Sequence, residues 1–110
     1  MINKWAWLVT TVEDGYSEFI DEYTNDLYSR NWLHEVWPFV TDRTIAIGTP
    51  QIKTLDDRFR AATVFDDGQS LSQFHRISQL DADDMWWWRR RPRLLVGNLG
   101  RSLREAGAAD

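Results

Sequence analysis

The sequence contains no cysteine, which excludes disulfides, Cys-ligated zinc, iron–sulfur clusters and thiol catalysis. Histidine is almost as scarce, with only His34 and His75 present. Glu35 follows His34, but position 38 is Pro, so no H-E-x-x-H zinc motif exists. G-x-S-x-G, P-loop and G-x-G-x-x-G patterns are missing too. Gly97-Asn-Leu-Gly100 is a bare G-x-x-G that reads as turn punctuation. The longest strictly apolar run is the five residues Trp5 to Val9, far short of the ~20 that cross a bilayer. No basic segment leading into a long apolar stretch opens the chain. That argues against a signal peptide and for a cytoplasmic location. Repeats, low-complexity tracts and linkers are likewise missing. One domain is therefore expected over residues 1–100, with 101–110 as a frayed tail.

What is present suffices for a core. The 110 residues are 43% hydrophobic and 14% aromatic, with seven Trp, and a domain of this size needs no covalent staples. The balance of 13 basic and 17 acidic residues, a net −4, excludes an overall polycationic nucleic-acid binder. Its distribution is uneven. Glu13, Asp14, Glu18, Asp21, Glu22 and Asp26 form an acidic stretch without a base. Arg89, Arg90, Arg91, Arg93, Arg101 and Arg104 form a basic stretch without an acid. Arginine outnumbers lysine 11 to 2.

The residues from Lys4 to Val12 are nearly continuous in apolar and β-branched character, which predicts a buried strand. Asp14-Gly15 breaks the chain. Tyr16, Phe19, Ile20, Tyr23, Leu27 and Tyr28 then recur at three- and four-residue steps, predicting an amphipathic helix that extends toward Trp37 and stops before Pro38. Arg43–Thr49 and Arg58–Phe65 read as strands. Asp66-Asp67-Gly68 signals a turn, with residues 71–79 returning as a hairpin strand. A capping box at Ser70 to Gln73 offers a helix as the other reading of that stretch. Asp81 suits the cap of a last helix, with Leu80 stapled on Met85 and Pro92 closing it. Arg93 to Val96 then reads as a strand or a helical turn. The expected fold is α+β: an antiparallel sheet of about four strands, a long amphipathic helix and a short Trp/Arg-rich helix. A ferredoxin-like arrangement is one such fold.

The segment Met85 to Arg93, MWWWRRRPR, is the most unusual. Successive residues on a helix turn by about 100°, so three consecutive Trp cannot all face a core. At least one indole would then sit beside guanidinium groups at the surface. Trp and Arg are the types enriched in protein-binding hot spots, and stacked rings beside cations also suit nucleic acid. Trp86, Trp87, Arg89, Arg90, Arg91 and Arg93 are the candidate binding surface. Glu18, Asp21, Glu22 and Asp26 form a second, acidic one. No catalytic residue, metal ligand or cofactor is assigned.

Glu22-Tyr-Thr-Asn-Asp26, Arg30-Asn31, Glu35 and Trp37 resemble a stretch in the small subunits of the carbon-fixing carboxylase Rubisco. The likeness spans about sixteen residues, and a helical period runs where that family has a strand. No fold, site or activity is carried over from it.

These readings predict a small soluble non-enzymatic binding protein, a regulator, inhibitor or accessory subunit. Its partner would be another protein. Two other readings compete: a nucleic-acid-binding module using the Trp/Arg patch, and a small enzyme or ligand-binding protein with an aromatic-lined pocket. An edge strand or the Trp patch would equally support a homodimer.

Overall fold

In a computed structural model that describes residues 2–74 and 85–108, the apolar run at the start of the chain is a helix. In α1 (Ile2–Asp14) the buried residues are Trp5, Leu8, Val9 and Val12, spacings that align them on one helical face. The strand expected over Lys4–Val12 is thereby corrected. A short apolar run satisfies both periods, and burial of one face overrides the modest helix reluctance of Val and Thr. Asp14-Gly15 does break the chain: Gly15 takes φ +112° and donates its N–H to Thr11 O at 2.9 Å, a left-handed helix stop.

The second helix, α2 (Ile20–Val36), follows the predicted periodicity but starts later than Tyr16. Tyr23, Leu27 and Leu33 face the core, together with the polar Thr24, Arg30 and Asn31. Phe19 and Tyr28, expected on that face, are exposed instead. Pro38 ends the helix within a 3-10 turn, Trp37–Phe39.

Helix α3 (Asp42–Ala61) replaces the strand expected at Arg43–Thr49 and the first half of the one at Arg58–Phe65. Thr41 caps it, accepting the Thr44 N–H on its hydroxyl at 3.2 Å. Gly48 and Pro50 do not stop it, because Gly48, Ile52, Leu55 and Phe59 together bury one face. At Gly48 a Cβ would stand 2.5 Å from the Trp37 ring, so glycine here is a contact residue.

Two strands are described, β1 (Thr63–Phe65) and β2 (Arg90–Pro92), paired antiparallel with Thr63 opposite Pro92 and Phe65 opposite Arg90. This small ribbon corrects the expected sheet of about four strands. Asp66-Asp67-Gly68 does turn: the Asp66 carboxylate accepts the N–H groups of Gly68 and Ser70, and Asp67 takes φ +56°. The turn enters a 3-10 segment, Leu71–Gln73, rather than a returning strand. Residues 75–79 of that predicted strand, His75 among them, lie outside the described residues, as do Leu80 and Asp81, the staple and cap expected of the last helix.

The Trp/Arg-rich helix is also corrected. Trp86–Arg89 forms one 3-10 turn and the chain then extends directly into β2. Helix α4 (Gly97–Glu105) crosses position 101, so the expected tail is helical at its start. Burial of Leu99 and Leu103 holds it down. The protein is thus a mostly helical single small domain. Helix α1 packs against both α2 and α3, α4 lies against α2, and the ribbon continues from the end of α3.

Candidate functional site

The short 3-10 turn decides what the three consecutive tryptophans do. Trp87 and Trp88 are fully buried, and Trp86 is partly so. Both buried indole N–H groups donate to a single acceptor, Asn31 Oδ1 on α2, at 2.6 and 2.8 Å. The Trp86 ring packs edge-on to Phe59 and Trp87, and the Arg60 guanidinium covers it at 3.9 Å from the centroid. The indoles expected to form a surface patch are therefore largely core. A single 3-10 turn, entered from a non-helical Met85 and left through an extended Arg90, is not held to the ~100° step of one continuous α-helix.

The arginines that follow serve the junction of α3 and the ribbon. Arg89 pairs with Asp67 at 3.0 Å. Arg90 donates from Nε to Thr63 Oγ1 at 2.8 Å and from Nη2 to the carbonyls of Arg60 and Thr63. Those carbonyls lie at and just past the α3 C-terminus, where helix acceptors lack intrahelical donors. Arg91 is buried and reaches Pro92 O at 3.0 Å. Arg93 donates to Thr63 O at 3.4 Å and remains exposed. Burial, followed by the nearby charges of Arg60 and Arg93, holds the Arg90 guanidinium below its ordinary value.

Sequence reasoning did not find the most chemically loaded part of the molecule. Asp56 of α3 and Arg30 of α2 form a bidentate ion pair at 3.0 and 2.9 Å, each almost fully buried. Trp5 Nε1 of α1 also donates to Asp56, at 3.0 Å. Arg30 lies over the Trp87 ring at 4.5 Å, and Trp87 leads on to Asn31. One connected network therefore ties α1, α2, α3 and the Trp segment together. Arg30 and Asp56 at inward helical positions were its sequence signal, but their pairing partners lie far apart in the chain.

Of the acidic candidates, Glu18, Asp21 and Glu22 are exposed. Asp26 is engaged within the fold, accepting from the Tyr16 hydroxyl at 2.5 Å and pairing with Lys4 at 3.2 Å. Burial and then the Asp26 bond push the Tyr16 phenol well above its ordinary range.

An open cleft of about 520 Å³ lies between the end of α2 and the middle of α3. Leu33, Trp37, Pro38 and Ile52 wall it, and Arg30 and Asp56 also reach it. Thr49, Lys53, Asp57, Arg60 and His34 complete the lining. Among the described residues no group of three or more metal-ligating side chains converges, and no helix is long and apolar enough to cross a membrane. In comparisons with protein-family models, curated proteins and solved structures, nothing matches this chain.

Proposed function

We propose that this chain is a small non-enzymatic binding protein that acts through an interface with another protein, as a regulator, inhibitor or accessory subunit. The supporting observation is a set of large aromatic side chains left outside on one side of α2 and its 3-10 extension. Trp32 is 48% exposed and Phe39 88%, and steps of four and seven residues bring Tyr28, Trp32 and Phe39 to one side. A hollow lined by Tyr28, Asn31, Trp32 and Glu35 lies beside them. Exposed apolar patches with Trp at their centre are the usual core of protein-binding hot spots. The binding surface thus moves from Trp86 and Trp87 to the outer side of α2. A soluble, cytoplasmic protein is part of the same proposal.

The test is capture of a partner from source-cell lysate after nuclease treatment, with Trp32→Ala/Phe39→Ala and Trp7→Ala compared. Trp7 is equally exposed but lies on α1. A nuclease-resistant partner should bind the double variant roughly thirtyfold more weakly, the loss of about 2 kcal/mol typical of a hot spot. Trp7→Ala should bind normally. Equal binding by the double variant would overturn this surface. The convergence of Arg60, Arg90 and Arg93 supports a second reading, a polyanion partner. Its signature is capture that vanishes with nuclease and falls steeply with salt.

A further inference from the structure

We infer that the cleft between α2 and α3 is a binding site for a small aromatic carboxylate. This proposal is independent of the protein-binding surface on the outer side of α2. The cleft's volume of about 520 Å³ falls within the roughly 300–1,000 Å³ of small-molecule sites. Leu33, Trp37, Pro38 and Ile52 offer an apolar wall, with the Trp37 indole as a stacking partner for a planar ring. The Trp37 indole is held in place by its bond to Thr49 Oγ1 at 3.1 Å, and it packs against Gly48, where any side chain would displace it. A wall pinned in this way is pre-formed, which spares the ordering cost of binding.

The charges select the ligand's sign. Arg30, Lys53 and Arg60 line the cleft against Asp56 and Asp57, with His34 beside them. Asp56 already accepts three hydrogen bonds, one from Trp5 and two from Arg30, of the roughly four a carboxylate can take. It has little left to offer a cationic ligand. Arg30 gives Asp56 its Nε and Nη2, so its Nη1 is not engaged there. At the rim, Asp57 is shared between Lys53 at 3.2 Å and Arg60 at 3.4 Å. These pairs are solvent-exposed and weak, so an entering carboxylate can replace Asp57 between the two cations. The ring would lie against Trp37 and Ile52, and the carboxylate would face Arg30, Lys53 and Arg60.

The experiment is a calorimetric titration of the full chain with naphthoate and with naphthamide, its uncharged counterpart. Saturable one-to-one binding of naphthoate, at least about threefold tighter than naphthamide, is expected. Ile52→Trp, which fills the cleft, should weaken naphthoate about tenfold or more. Ile52 is buried, so Lys53→Glu serves as a variant that leaves packing untouched. The Lys53 side chain is 77% exposed. Lys53→Glu should weaken naphthoate while leaving naphthamide unchanged, and Trp32→Ala should alter neither. The proposal is overturned by an absence of saturable naphthoate binding or by equal affinity for the two ligands. Loss of binding in Trp32→Ala with normal binding in Lys53→Glu would overturn it as well.

Discussion

Removing the Asp56 carboxylate should be among the most damaging single changes in this protein. In Asp56→Ala the Arg30 guanidinium stays between α2 and α3 with only 9% of its surface exposed, and its bidentate partner is gone. Breaking a buried pair from one side costs about 3–5 kcal/mol, because the remaining charge is uncompensated. The Trp5 indole N–H, fully buried, loses its acceptor as well, and an orphaned buried donor costs about 1–3 kcal/mol. The two penalties share one acceptor, so they do not add fully. We expect a loss of about 4 kcal/mol against a total stability of about 5–15 kcal/mol. Urea unfolding followed by tryptophan emission reads this directly. With a slope of about 1.5 kcal/mol/M, the midpoint should fall by roughly 2–3 M. The double variant Arg30→Met/Asp56→Leu removes the stranded charge and should recover about half of the loss or more. A midpoint for Asp56→Ala within about 0.5 M of the parent would refute the reasoning, since it implies a loss below about 1 kcal/mol. So would a double variant no more stable than Asp56→Ala.

Asn31→Ala leaves two buried indole donors without their shared acceptor and should cost about 2–4 kcal/mol in the same assay. Asn31→Asp keeps an acceptor oxygen and should lose less. Gly100→Ala would place a Cβ 2.3 Å from the Leu95 carbonyl carbon. Thermal unfolding should show a net loss of about 2 kcal/mol, although alanine is the better helix former by about 1 kcal/mol. A stabilised Gly100→Ala would show that α4 can lift from the Leu95 backbone at no cost. The Arg58 hydrogen bond to Glu13 holds that carboxyl below its ordinary value of 4.5. The folded state therefore binds this proton less readily than the unfolded chain, so the contribution is present above about pH 4.5 and fades as pH falls through the lowered value. Glu13→Gln should flatten that part of the acid limb of stability against pH. Added salt should shrink the difference between parent and variant, because both side chains are partly exposed. A parallel acid limb in the two proteins would contradict the assignment.

Local patterns in the chain carried some of this architecture. The inward step from Tyr23 to Leu27 in α2 is readable because the two stand four residues apart with Asn25 and Asp26 between them and Asp21 and Glu22 before them. Asp14-Gly15 and Asp66-Asp67-Gly68 are readable because a backbone at positive φ calls for Gly or tolerates Asp. In α1 the same kind of period was present at Trp5, Leu8, Val9 and Val12, but its short apolar run fitted a strand equally well. In α3 the local stop signals at Gly48 and Pro50 pointed the wrong way. The helix continues there because Gly48 lies on the face buried with Ile52, Leu55 and Phe59, and Trp37 of the 3-10 turn after α2 takes the space that glycine leaves.

The candidate sites were less legible than the elements. Composition and local order established that seven tryptophans and a run of arginines had to be accommodated somewhere in one small domain. Where each one points was settled by partners remote in sequence. Asn31 draws Trp87 and Trp88 inward, and the end of α3 takes up Arg90. Val64 pairs across the ribbon with Arg91. Asp56 meets Arg30 only when α2 and α3 close on each other, and the cleft beside them exists only in that packed state. The physical reason is one of range. Turn chemistry and hydrophobic period act between neighbours in the chain, whereas burial, shared acceptors and cavities arise between elements whose meeting only the tertiary fold decides.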